Sequence, residues 1–326
     1  MQGRQFGRSG RKVSAIGFGA WAIGGSWGDV SEQDAEAALH AALDEGMTFI
    51  DTADVYGGGR SERLVAKVLK ARGRPDVMVA TKAGRQISPH VSAGYTPAVL
   101  ERYIDDSLRR LEVDALDLLQ LHCPPTEVYY RPEIFAALDG LVVRGKLKAY
   151  GVSVEKVEEA LKALEYPISS VQIIFNMLRH RPAEHLFARA QAQQVAIIAR
   201  VPLASGLLTG KLTQASTFAA DDHRQFNRHG EAFDVGETFS GVPYEVGLEA
   251  VEALRQVAGD VALAQFALRW ILMFDAVTVA IPGARNRQQA AANAAAGTLP
   301  ALSAEQMDEV ERIYRTLVKP HVHQRW

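Results

Sequence analysis

Eight short apolar runs recur along this chain, at 15–18, 48–50, 77–80, 116–121, 149–152, 170–174, 196–200 and 276–281. Longer amphipathic segments separate them, which reads as strand–helix alternation. The runs are apolar throughout, as expected of parallel strands covered on both faces. Eight such units close into a (β/α)8 TIM barrel; a doubly wound open sheet is the rival, and the count favours closure. Helix signals fall between the runs. Ser31 and Asp34 open an acidic first turn before 35–43, and Gly46 ends it. Thr96-Pro97 opens 98–111, where Arg109 and Arg110 suit the negative end of the helix dipole. Pro132 starts a helix through Val143 that Gly145 stops. Ahead of the first run, the segment from Phe6 to Val13 has turn residues at its centre. It predicts an N-terminal β-hairpin closing the bottom of the barrel.

One stretch breaks the rhythm. Residues 213–243, the long loop after strand seven, are polar, rich in Asp, His, Arg and Gly, and without a sustained period. Loops of that length in compact domains are usually functional or disordered. The position predicts a substrate-side lid, with a mobile surface insertion as the alternative. No composition break marks a second domain, so residues 1–326 read as a single barrel domain. The near-neutral balance, 36 basic against 38 acidic side chains, argues against a nucleic-acid footprint, which would need a concentrated basic face. Cys123 is the only cysteine, which rules out an intrachain disulfide. The start, Met1-Gln2-Gly3-Arg4-Gln5, lacks the apolar core of an export signal. The most apolar helical stretch, 261–274, is interrupted by Gln265 and Arg269 and is too short for a bilayer. The expectation is a cytoplasmic protein with neither a membrane nor a nucleic-acid partner; oligomerisation stays open.

Chemistry concentrates where the apolar runs end. Asp51 ends Phe49-Ile50-Asp51, and Tyr56 follows it by one short loop. Lys82 ends the third run and His122 the fourth. In a parallel barrel the C-terminal strand ends converge on one face. A phenol with an ordinary pKa near ~10 is a poor acid at neutral pH, and a nearby ammonium favours the phenolate. Lys82 is expected to act in this way on Tyr56, with Asp51 as the counter-charge a buried lysine needs. His122 can hydrogen-bond the same carbonyl oxygen and stabilise developing negative charge. The set suits carbonyl reduction, in which hydride reaches carbon while Tyr56 protonates oxygen, or the reverse oxidation. No side chain supplies a hydride, so a cofactor is implied; a metal is not. Each residue also has a bland reading: an Asp51–Lys82 ion pair, a rim aromatic, a loop histidine beside Cys123 and Pro124. Their coincidence at successive strand ends argues for a site.

The motifs that carry these residues resemble those of the aldo-keto reductase superfamily. They are Gly17-Phe18-Gly19-Ala20-Trp21, Phe49-Ile50-Asp51-Thr52-Ala53 with Tyr56-Gly57 and Ser61-Glu62, Ala80-Thr81-Lys82, and Leu121-His122. Gly151-Val152-Ser153, Val171-Gln172, the run from Pro202 to Lys211, and Ile281-Pro282-Gly283-Ala284 extend the likeness. It spans about Gly17 to Asn293. The resemblance implies the same barrel, a tetrad of Tyr56, Lys82, Asp51 and His122 in the roles above, and a nicotinamide dinucleotide, usually NADP.

No Gly-x-Gly-x-x-Gly opens a helix after a strand, so a Rossmann phosphate site is not indicated. The resemblance instead lays the cofactor along Gly19, Ala20, Trp21, Asp51, Val201, Pro202 and Leu203. It sets Ser153 and Gln172 against the nicotinamide carboxamide, which needs both donor and acceptor partners. Val154 stands where many relatives have Asn, and Arg200 where relatives place an aromatic against the nicotinamide ring. Arg200 either stacks there and disfavours the cationic oxidised ring, or pairs with a phosphate or a lid acid such as Asp221. Ser205, Gly206 and Lys211 suit a pyrophosphate, or form only a tight turn. The helix opened by Pro282-Gly283-Ala284-Arg285-Asn286-Arg287 has an N-terminus that attracts anions. In the family this region holds the adenosine 2'-phosphate, and Gln289 and Asn293 match positions near the adenine. Gly283 and Ala284 replace a Lys-Ser found in some relatives. Arg285 and Arg287 are expected to supply those phosphate contacts, which favours NADP over NAD.

Trp21, Trp27, Tyr56 and His122 are expected to line the substrate pocket, with Trp326 either folded over the mouth or at a surface contact. Aromatic walls accept small aldehydes, ketones, aldoses and pyridoxal-like aldehydes alike. Three functions follow. An NADP-dependent carbonyl reductase is favoured over an NAD(P)-dependent aldose or alcohol dehydrogenase of the same fold. The third is a cofactor-binding regulatory subunit like the channel-associated relatives, against which the intact tetrad argues.

Overall fold

The computed structural model describes residues 1–25 and 30–326. Its strands in chain order are β1 (Gly3–Gln5), β2 (Lys12–Ser14), β3 (Phe18–Gly19), β4 (Phe49–Asp51) and β5 (Met78–Ala83). β6 (Leu118–His122), β7 (Tyr150–Ser153), β8 (Ser170–Ile174), β9 (Ala196–Arg200) and β10 (Val277–Ala280) follow. From β3 to β10 each strand pairs in parallel with the next. The sheet then closes, because Ile16 bridges Ala280 and Gly19 bridges Gly283, both in parallel. The Gly19 N–H donates to Pro282 O at 3.0 Å across this seam. A Cβ on Gly19 would stand 2.6 Å from the Ile281 carbonyl oxygen, so glycine is needed where the first and last strands meet.

Helices form where the sequence signals place them. Ser31 Oγ accepts the Asp34 N–H at 3.0 Å and caps Glu32–Asp44, and Thr96 Oγ1 accepts from Val99 ahead of Pro97–Leu111. Gly46 and Gly145 take left-handed φ values of 81° and 76° just past Glu32–Asp44 and Pro132–Val143. The first run differs from its expected span. Residues 15–18 are all buried, yet the ladder itself covers Phe18–Gly19, with Ala15 and Ile16 held to Ala280 by single contacts. Apolar pattern reports burial, whereas ladder pairing depends on where the neighbouring strand lies.

β1 and β2 form the expected antiparallel hairpin, with Arg4 opposite Val13. Phe6 and Val13 drop from it among Phe49, Met78, Ala80, Leu118, Ala196, Ile198 and Val279 and plug one end of the barrel. Side chains alternate across a strand, so the same parity continues upward as Asp51, Lys82, Gln120, His122 and Arg200. The barrel interior thus passes from an apolar layer to a polar one. The opposite parity, Ile50, Leu119, Leu121, Val171, Ile173, Ile197 and Ala199, packs in the large cluster beneath the helices.

Arg74, Glu112 and Gln194 take positive φ just after helices, and the other left-handed non-glycine residues among those described lie on the polar face: Cys123 after β6, Val201, Ala204 and Ser205 after β9, then Phe239 and Ser240. Such conformations cost on the order of 1–3 kcal/mol each and persist where the surroundings hold them, often at ligand sites. The 213–243 stretch is ordered into a turn of helix at His223–Phe226 and 3-10 turns at Val235–Glu237 and Phe239–Gly241. Its turns are capped locally: Asp222 Oδ1 accepts the Arg224 N–H at 2.9 Å, and Asp234 Oδ1 the Gly236 N–H at 2.7 Å. Single turns have no period, which is why the sequence shows none. Trp326 is buried against this stretch, its Nε1 donating to Asp234 Oδ1 at 2.9 Å. The Arg179 guanidinium lies 3.8 Å from the Trp326 ring centre. Among the described residues no helix is long and apolar enough to cross a membrane.

Candidate active site

β4 and β5 put Asp51 and Lys82 on one interior layer, and the loop after β4 carries Tyr56 back over them. Lys82 Nζ donates to Asp51 Oδ2 at 2.6 Å, to Thr52 O at 2.8 Å and to Tyr56 Oη at 3.2 Å. Lys82 is 1 % exposed and Asp51 3 %, so the ion pair is fully desolvated. Asp51 Oδ1 accepts from Gln172 Nε2 at 2.7 Å and from Gln120 Nε2 at 3.3 Å. The His122 ring stands edge-on to Tyr56, with 5.9 Å between centroids. The structure therefore gathers all four candidate groups at one point.

Their protonation differs from expectation in one respect. Lys82 does pull the Tyr56 phenol down, but burial outweighs it and the net shift is upward. Lys82 also moves up, because Asp51 and Tyr56 overcome its desolvation. Burial, with Arg85, Lys82 and Arg200, holds His122 well below its usual value. At neutral pH the site thus presents a protonated phenol, an ammonium and a neutral imidazole. His122 Nδ1 is buried with no hydrogen-bond partner among the described residues.

The expected cofactor residues divide. Gln172 turns its amide N–H groups to Asp51 and, at 3.4 Å, to Gln120 Oε1. Among the described residues Ser153 Oγ meets only Cys123 Sγ, at 3.6 Å. Arg200 Nη2 donates to the Val154 carbonyl at 3.0 Å, and Arg200 Nη1 lies 3.6 Å from Glu237. Its lid acid is Glu237, while Asp221 is exposed. Gly19 and Ala20 are backbone of the barrel seam, Ala20 N–H donating to Asp51 O at 2.8 Å. Val201 has φ 51° and its carbonyl accepts from Asn176 Nδ2 at 2.8 Å; Pro202 and Leu203 continue that turn toward Gly206, φ 99°. Ser205 faces inward, Oγ donating to Glu237 O at 3.0 Å and accepting from Phe239 N–H at 3.1 Å. Lys211 is exposed. At the last strand end Ala284 is buried and Gly283 exposed, and Asn293 Nδ2 braces the Gly283 carbonyl at 3.1 Å. Gln289 Oε1 accepts the Arg285 N–H at 2.9 Å ahead of the helix Arg287–Ala295. Arg287 borders a surface groove with Glu36, His40 and Asp44.

Trp21 stacks 6.1 Å from Tyr56 and meets His223 at 4.8 Å and Phe233 at 6.1 Å, so the 213–243 stretch covers the mouth. Trp27 lies outside the described residues. Sequence reasoning missed Gln120, although it lies two residues before His122 on the same face of β6. It also missed Arg85, Glu155, Phe233, His223 and Glu237. The last three sit in aperiodic chain, where no signal exists.

A model of the Aldo/keto reductase family matches residues 15–315. The chain belongs to the aldo-keto reductase family. It is 32 % identical over 293 residues to aldo-keto reductase YhdN of Bacillus subtilis (strain 168), covering 86 % of this chain and 84 % of that one. It is 28 % identical over 281 residues to "Aldo-keto reductase yakc [NADP(+)]" of Schizosaccharomyces pombe, covering 84 % and 80 %. Among solved structures, the glycerol dehydrogenase AKR11B4 from Gluconobacter oxydans superposes with a TM-score of 0.78 at 29 % identity, covering 98 % of this chain and 96 % of that one. The eight-stranded parallel barrel described above is the fold of this family, and the protein is an oxidoreductase.

Asp54, two residues before Tyr56, is fully buried, and neither carboxylate oxygen has a hydrogen-bond partner among the described residues. Burial, then the nearby Glu62, pushes it up to about 7 from 3.8. A folded pKa above the unfolded one contributes stability below the unfolded value and loses it as pH rises through the folded value. Between pH 5 and 8, Asp54→Asn should therefore gain roughly 3 kcal/mol on the wild type in urea unfolding. A stability difference that stays flat over that range would contradict the assignment.

Proposed function

We propose that this protein reduces aldehydes or ketones to alcohols with NADPH, Tyr56 giving the proton. The observation that carries this reading is Tyr56 Oη held 3.2 Å from Lys82 Nζ, itself 2.6 Å from Asp51. When bound, the reduced nicotinamide supplies the hydride. His122 and Tyr56 orient the carbonyl oxygen. Tyr56 then releases its proton to that oxygen, and Lys82 stabilises the phenolate left behind. Asp51 keeps Lys82 charged. Trp21, His223 and Phe233 exclude water above them.

The residues at the strand ends fit a dinucleotide. Neither the Gln172 carbonyl oxygen nor the Ser153 hydroxyl has a strong partner among the described residues, which suits a carboxamide needing both donor and acceptor. Arg285 stands before a nine-residue helix with its N-terminus toward Gly283, which supports 2'-phosphate recognition. The S. pombe relative's name carries NADP(+), in the same direction. The glycerol dehydrogenase neighbour favours a second reading, alcohol oxidation by the same groups run backwards.

Mixing the purified protein with NADPH and a panel of aldehydes, and following absorbance of the reduced ring, tests the reaction. Tight cofactor binding with no turnover of any carbonyl or alcohol would leave the regulatory-subunit reading instead. Arg285→Ala should raise KM for NADPH at least about tenfold while leaving KM for NADH nearly unchanged, as expected for loss of a charge-assisted contact. Equal weakening of both cofactors would reject the phosphate role.

A further inference from the structure

Away from the barrel mouth, three groups with metal-binding chemistry meet at the outer surface. Glu184 and His185 end the short helix Arg181–His185, and His323 follows the helix Lys319–Val322. Glu184 Oε2 lies 3.7 Å from His185 Nε2 and 3.1 Å from His323 Nε2. All three ligand atoms fall within 4.8 Å of one another. A tetrahedral ion with bonds of about 2.0–2.1 Å sets neighbouring ligand atoms about 3.3 Å apart. Two of the edges already bracket that length, and the exposed His185 side chain is free to rotate and close the third.

The surroundings suit an ion as well. Tyr314 Oη lies 2.9 Å from His323 Nδ1. The Tyr314 ring is itself buried and stacked 3.8 Å from His180. A fixed oxygen beside one ring nitrogen sets the tautomer a metal needs, with Nδ1 protonated and the Nε2 lone pair available. Burial, against the opposing pull of Glu184, holds His323 below its usual value, so its imidazole is neutral at pH 7 as a ligand must be. Lys319 Nζ bonds the other Glu184 oxygen, Oε1, at 3.3 Å and leaves Oε2 to the histidines. A second group of this kind among the described residues, Cys123 with Glu155 and Glu237, differs. There Arg85 donates to Glu237 and Glu155 at 3.0 and 3.3 Å, and Arg200 stands 3.6 Å from Glu237. Those acids already have their cations.

We propose that Glu184, His185 and His323 bind one divalent transition ion of the zinc class, and that the ion clasps the segment carrying Trp326 to the barrel. Imidazole with carboxylate suits zinc, nickel or copper, and three protein ligands leave a fourth position for water. His323 stands three residues before Trp326, whose Nε1 donates to Asp234 Oδ1 at 2.9 Å. A Cβ on Gly236 or Gly241 would come 3.1 or 2.3 Å from the Trp326 ring, so the turns of the 213–243 stretch close directly on that indole. An ion that fixes His323 therefore fixes the seat of the lid.

The experiment titrates Zn2+ into the full, untagged chain by calorimetry, and Co2+ with its visible absorption as the report of tetrahedral geometry. The wild type should take one ion per chain. Tyr314→Phe keeps the ring and removes the oxygen that orients His323, so it should weaken binding roughly 10- to 100-fold, the usual effect of losing an outer partner. His185→Ala and His323→Ala should each cost more than that. His321→Ala, two residues from His323 and outside the set, should leave affinity unchanged. Zn2+ should also slow amide exchange across 319–326 and 234–241 in the wild type and not in His185→Ala. Binding is read without turnover, so the result does not depend on the reductase reading. A wild type that takes neither ion overturns the proposal, as does undiminished affinity in His185→Ala, an exposed position whose replacement spares the fold. Binding that leaves exchange across 319–326 unchanged overturns the clasp.

Discussion

Tyr56→Phe is expected to lower kcat for carbonyl reduction roughly 100- to 10,000-fold, the usual contribution of a positioned proton donor. Among the described residues the phenol is the one protonated acid at hydrogen-bond distance from Lys82, 3.2 Å away. Burial raises its pKa, so it stays loaded with its proton across the neutral range. Lys82 acts later, on the phenolate that the transfer leaves. The substitution removes a single oxygen and keeps the ring that packs against Trp21 and His122. NADPH affinity and thermal stability should therefore change little, which separates loss of chemistry from loss of fold. Single-turnover mixing of the NADPH complex with an aldehyde reads the step directly. Undiminished hydride transfer in this variant would mean that another group, His122 first among them, is the donor.

Asp51→Asn should cost about 3–5 kcal/mol of folding stability, the penalty for stranding one partner of a buried ion pair. The replacement is nearly isosteric, and its side-chain carbonyl can still accept from Gln120 and Gln172, which now bond Asp51 Oδ1 at 3.3 and 2.7 Å. What it removes is the charge opposite Lys82. The ammonium then either stays buried without a counter-ion or releases its proton. Activity should fall in both cases, because a neutral amine stabilises the phenolate poorly. The double variant Asp51→Asn, Lys82→Met should recover most of the lost stability, since no charge is left unpaired, while remaining inactive. Urea midpoints for the wild type, both single variants and the double variant close this cycle. Additive losses would show that the two side chains are not coupled.

Much of this arrangement could be read before any coordinates. The period-2 alternation of β4, β5 and β6 is enough to put Asp51, Lys82 and His122 on one layer above the apolar plug. The N-terminal hairpin and the helix starts at Ser31, Thr96 and Pro132 followed from capping and turn chemistry alone. Gln120 was equally legible, since it shares the parity of His122, and was passed over because a neutral amide in an apolar run looks like a packing residue. Arg200 shows the limit. Its position at a strand end is plain from the sequence, and so are its possible roles against a nicotinamide ring, a phosphate or a lid acid such as Asp221, but the acid that lies beside it is Glu237.

The sequence by itself determined the barrel, its polar end and the convergence of Asp51, Tyr56, Lys82 and His122. These follow from backbone geometry that repeats every two or 3.6 residues, so they are written locally. Only the tertiary structure decided what covers them. The 213–243 turns bring His223, Phe233 and Glu237 to the mouth, and Trp326 packs onto those turns from the other end of the chain. It also decided the protonation states, with Tyr56 and Glu155 raised and His122 lowered. Those depend on how much water distant segments exclude, and desolvation is a sum over the whole fold that no local pattern records.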